Sequence, residues 1–114
     1  MSRVVALAPD LFFASKIQAT LAAAGHEVVL ESVASAAVAA AGNADVVVAD
    51  LHAPDLDLES FADRLKGKPL LGFYSHVEAA LRREAEEAGF DLVVPRSRMA
   101  RDMPELIAQL ARVG

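Results

Sequence analysis

The sequence contains no cysteine and no tryptophan, and aromatic residues make up 5% of its 114 positions. Without cysteine there is no disulfide framework and no thiolate-ligated zinc or iron–sulfur site. No apolar run approaches the roughly 20 residues that a membrane-spanning helix needs. No cluster of lysine or arginine forms a basic stripe, and the formal net charge is −5. That balance argues against nucleic acid as a direct partner. The first ten residues carry one basic side chain and an apolar segment cut by Pro9, a poor match to a secretory signal. Internal repeats, linkers and low-complexity segments are also missing. Together these absences lead to the expectation of a cytoplasmic protein with a single domain spanning residues 1–114.

What is present is a hydrophobic share of 54% against 24% charged residues, a globular balance. Alanine inflates that share and favours helices and close packing more than large buried areas. The organising stretch is Ala44-Asp-Val-Val-Val-Ala-Asp50-Leu-His-Ala-Pro54-Asp-Leu-Asp57. Its short, β-branched run reads as a strand buried on both faces, as at the centre of a parallel sheet. It stops abruptly at a carboxylate, Asp50. In open α/β sheets chemistry gathers at the carboxyl ends of central strands, so Asp50 is the first candidate functional residue.

Around this strand, short apolar runs alternate with helical periodicity. Residues 3–8 form the first predicted strand, ended by Pro9 and Asp10. Asp10 is a suitable N-cap for a helix bearing Phe13, Ile17 and Leu21, and Gly25 closes it. Residues 26–31 form a second strand, whose charges Glu27 and Glu31 suit a sheet edge. Residues 32–41 are mostly small and are expected to be a helix capped by Ser32 or Ser35. After the central strand, a helix over 58–65 has Asp57 at its N-cap. Residues 70–75 are the fourth strand and 77–88 the next helix. Residues 90–94 are the fifth strand, stopped by Pro95. Residues 96–101 read as a polar connection to a last helix, where Asp102 and Glu105 have capping-box spacing and Pro104 sits in the first turn. The fold class is therefore α/β: a five-stranded parallel sheet with helices on both faces.

At this point the chain resembles the receiver domain of two-component response regulators, with a flavodoxin-like (βα)5 fold. The resemblance covers the whole length. It is carried by Asp50-Leu-His-Ala-Pro54-Asp-Leu-Asp57, where receivers have Asp-x-x-Met-Pro-x-x-Asp-Gly. It is carried also by Pro69-Leu-Leu-Gly-Phe-Tyr-Ser75 and Gly89-Phe-Asp-Leu-Val-Val-Pro95-Arg96-Ser97. The resemblance implies Asp50 as phosphoryl acceptor, an acidic pocket that holds Mg2+, a hydroxyl at Ser75 or Tyr74, and a cation at Arg96. Receivers normally carry two acids at the end of the first strand. The matching positions here are Ala8 and Pro9, and only Asp10, one residue later, is acidic. Lysine is replaced by Arg96 and the proline after it by Ser97.

Phosphoryl transfer to a carboxylate must overcome like-charge repulsion, which a divalent metal relieves. With two carboxylates missing, a magnesium site made of Asp10 and Asp50 is expected to be weak. The leading expectation is thus a degenerate receiver, or pseudo-receiver, that is not an enzyme and acts by protein–protein interaction. The alternative is a phosphorylatable response regulator, its Asp50 charged by a histidine kinase, with Asp10, Ser75 and Arg96 in support. A further alternative is a small metal-binding protein using Asp10, Asp50, His52 and His76. Arg96 is also read as a salt-bridge partner for Asp50. Partners are expected to be a histidine kinase or another signalling protein, with no membrane contact, and a homodimer through the last helix is allowed. Arg98, Met99, Arg101 and Met103 are expected near a partner surface, where methionine and arginine are enriched.

Overall fold

The structure is a computed structural model describing residues 2–75 and 79–113. Five strands alternate with five helices: β1 (Arg3–Leu7), α1 (Leu11–Ala23), β2 (Glu27–Glu31), α2 (Ala34–Ala40), β3 (Val46–Asp50), α3 (Leu58–Arg64), β4 (Leu70–Tyr74), α4 (Ala79–Ala88), β5 (Leu92–Pro95) and α5 (Arg96–Val113). All strand pairings are parallel, in the order β2-β1-β3-β4-β5. The predicted α/β sheet is therefore observed. The central position of β3 follows from its composition: every residue from Val46 to Asp50 is buried. The charged ends of β2 leave it only half-buried, at the sheet edge.

Alternation along each strand splits the core in two. Val4, Ala6, Val46, Val48, Leu71 and Phe73 face α1 and α5, and meet Phe13, Ile17, Leu21, Met103 and Ile107 there. Val5, Leu7, Val47, Ala49, Leu70 and Tyr74 face the other helices. Fully burying one large aliphatic or aromatic side chain contributes about 1.5–3 kcal/mol, so both layers hold the sheet between them. No helix among the described residues is long and apolar enough to cross a membrane.

Four local expectations need correction. Neither serine caps α2: its N-cap is Val33, which has no hydroxyl, and no side chain bonds the helix start. The fifth strand begins at Leu92 and runs through Pro95, because the amide of Asp91 bonds the Leu70 carbonyl before pairing starts. Residues 96–101 are helical, not a connection. They lead to a kink at Asp102 (φ −115°, ψ 17°), and the helix resumes with Pro104 in its first turn. Finally, Met99 and Met103 are fully buried. Their apolar side chains fill the layer between α5 and the sheet and are not part of a partner surface.

Candidate functional site

Parallel strands bring all their carboxyl ends to one edge. β3 ends there at Asp50. The chain leaving β1 supplies Asp10, the residue after β4 is Ser75, and the residue after β5 is Arg96. The four candidates thus share one edge, although Asp10 and Arg96 are 86 residues apart in sequence.

Asp10 is both a cap and an ion-pair partner. Its backbone is extended (φ −74°, ψ 112°), as an N-cap requires. Oδ1 accepts from the amides of Phe12 and Phe13 at 2.9 and 3.3 Å. Oδ2 accepts from Nη2 of Arg96 at 2.6 Å. The Arg96 hydrogen bond is the main influence holding the Asp10 carboxyl below its ordinary value, followed by the Phe13 amide. Arg96 has two further contacts. Nη1 donates to Ser75 Oγ at 3.4 Å, and Cζ lies 4.3 Å from the centroid of the Phe13 ring. A guanidinium suits this arrangement because it is planar, can fork between two acceptors and stacks on aromatic faces. Phe13 in turn packs on Phe73, with centroids 4.9 Å apart.

Asp50 stands differently. It is 7% exposed, the one buried charged residue among those described. Its Oδ1 accepts from the amide of His52 at 2.9 Å. Arg96 pairs with Asp10 and not with Asp50, which corrects the expected salt bridge. The first turn of α1 explains the difference: the Asp10 carboxylate is fixed by two amides and Phe13 lies beneath the guanidinium, so the fork has a ready seat.

Tyr74 and Ser75 also separate. Tyr74 is buried in the layer facing α3 and α4, while Ser75 is exposed beside Arg96. Phe13 is the contributor that sequence reasoning missed. The available signal was an aromatic three residues after a capping aspartate, which lies close to whatever that aspartate binds.

Asp10 and Asp50 do not fit a magnesium ion as arranged. Magnesium holds proteins through carboxylates in near-octahedral geometry. Both Asp10 oxygens are engaged, and one Asp50 oxygen is committed to His52. The positions before Asp10 are Ala8 and Pro9, which supply no side-chain oxygen. Among the described residues, no group of three or more His, Asp or Glu side chains is placed to hold a metal. His76, the remaining member of the expected Asp/His site, lies outside the described residues.

No family model matches this sequence, and no curated protein matches it. Solved structures do match in shape. The receiver domain of the Francisella response regulator 1452 superposes with a TM-score of 0.86 at 17% identity, covering 98% of each chain. The chemotaxis response regulator CheY4 of Vibrio cholerae gives 0.83 at 19% identity, covering 96% of this chain and 98% of its own. The signal receiver domain of the NarL response regulator from Mycobacterium tuberculosis gives 0.82 at 18% identity, covering 97% and 96%. The chain has the fold of response regulator receiver domains, the flavodoxin-like arrangement expected from its sequence.

Proposed function

We propose that this chain is a cytoplasmic signal-transduction receiver module that works by binding another signalling protein, without relying on phosphoryl transfer to Asp50. The observation that carries this reading is the commitment of Arg96 to Asp10 at 2.6 Å. A cation engaged there is not paired with Asp50, and the acid of the first-strand turn, Asp10, is taken up by that cation and by two helix amides. Repulsion between a carboxylate and an incoming phosphoryl group then goes largely unrelieved. A module of this kind responds to a partner only through differential affinity for its conformations.

A second reading has one observation in its favour. Asp50 is buried at the carboxyl end of the central strand, where a phosphoryl acceptor would stand. In that reading a histidine kinase is the partner, Ser75 the closing hydroxyl and Arg96 the cation, once released from Asp10. The deciding experiment is an amide NMR titration with magnesium and beryllofluoride, an acyl-phosphate mimic, on wild type and Asp50→Asn. The expected outcome is no saturable shift at Asp50, Ser75 or Arg96. Saturable shifts abolished by Asp50→Asn would replace the first reading with the second.

A further inference from the structure

The misfit between this edge and a divalent metal has a counterpart in what occupies it. Arg96 follows β5, Asp10 precedes α1 and Ser75 follows β4, so one guanidinium touches the carboxyl ends of three strands' connections. Its charge is held at 2.6 Å by a carboxylate that two helix amides fix in place. Its face lies 4.3 Å from an aromatic centroid that is itself packed on Phe73. The side chain keeps 29% of its exposure, and the carboxylate 40%, so water reaches the pair but the ring covers one side.

The geometry points to Arg96 as a resident cation that stands in for a bound metal at this edge. It rests on the same residues as the reading above and deepens it. A divalent ion in such a place does two things: it offsets carboxylate charge, and it pulls separate loops onto one centre. The guanidinium does both through the Asp10 ion pair, the Ser75 hydrogen bond and the Phe13 stack. Being tethered, it is present at a high effective concentration, on the order of millimolar or above. A free metal ion would have to displace it from Asp10 as well as bind. The edge is therefore set in one arrangement whether or not divalent metal is available, and the tie between α1 and α5 is what a partner would have to loosen.

The test uses magnesium alone, without any phosphoryl mimic, and adds a comparison of variants on which the proposed function does not depend, so that the inference can fail while that reading stands. Wild-type amide and arginine side-chain resonances are followed to millimolar magnesium. The expected result is no saturable movement at Asp10, Asp50 or Ser75, with the Arg96 guanidinium signals unchanged. Asp10→Asn, Arg96→Met and the double variant are then compared at the amides of Phe13 and Ser75. A shared tie predicts that the double variant shifts these amides little more than either single one. Arg96→Lys keeps the charge but loses the fork and stack, and should recover less than half of the Phe13 shift. Saturable magnesium shifts in wild type with release of the guanidinium would overturn the inference, as would additive effects of the two single variants. The wild-type titration decides the matter even where a variant folds poorly.

Discussion

The two faces of the sheet are built from different materials. On one side α1 and α5 run for 13 and 18 residues and bury Phe13, Ile17, Leu21, Met99, Met103, Leu106 and Ile107. On the other, α2, α3 and α4 are 7, 7 and 10 residues long, and much of what they bury is alanine: Ala37, Ala62 and Ala85. There a groove of about 460 Å³ stays open beside Leu51, Leu56, Leu58 and Leu81. Large side chains on long helices bury more apolar area and anchor more firmly. Asp10 and Arg96 belong to the connections of the heavier face, and Asp50 and Ser75 lead into the lighter one. The edge thus has one half tied by an ion pair and another half lightly held. Once a partner loosens the Arg96 tie, which also reaches Ser75, the larger movement is expected in the second half, where local opening is least opposed.

The comparison can be broken first in the heavy layer. Phe73 is fully buried and packs its ring on Phe13. Phe73→Ala should destabilise the fold by about 3–5 kcal/mol, read from urea denaturation. A value below that range would mean the α1–α5 layer collapses onto the gap more easily than its packing indicates. A middle-sized effect is expected on the light side. A Cβ built at Gly72 would come 2.9 Å from Leu51 Cδ2 and 3.1 Å from Phe90 Cδ2. Gly72→Ala should cost about 1–3 kcal/mol by overpacking, and the amides of residues 50–56 should shift with it. A neutral result would show that Leu51 moves freely into the open groove.

The smallest effect concerns pH. The Asp10 carboxyl is held below its ordinary 3.8, chiefly by Arg96. A carboxylate with a depressed folded value contributes fully above its unfolded value and loses that contribution as pH falls through the folded one. Wild-type stability should therefore drop more steeply below 3.8 than that of Asp10→Asn, with thermal midpoints followed down the acid series. Asparagine keeps the cap acceptor, so the difference isolates the charge. Parallel acid profiles would assign the ion pair no stabilising role.

Much of this architecture was legible in the sequence because its signals are local. The Val46 to Asp50 run, the capping positions of Asp10 and Asp57, and the charged ends of the second strand each act within a few residues, and each stands where it was expected. The polar stretch starting at Arg96 was misread because no cap or apolar period marks its start. Its one deep anchor, Met99, looks alike in a loop and a helix. The identity of Arg96's partner was out of reach for a different reason. Asp10 and Asp50 are both acids near the same edge, and only the three-dimensional seat made by Phe12, Phe13 and Ser75 chooses between them. Position along the chain does not carry that information.

At the opposite end of the sheet, Lys68 donates to the carbonyls of Gly42 and Ala44, each at 3.1 Å. The chain has three lysines, and the other two, Lys16 and Lys66, are exposed. Two carbonyl bonds hold the Lys68 amine against the turn, and its side chain is less exposed than the other two, so an acylating reagent approaches it less freely. Lysine-directed labels will therefore accumulate on Lys16 and Lys66 and mark Lys68 last, so the order of modification in a mass spectrum becomes a covalent readout of whether the short turn before β3 is closed.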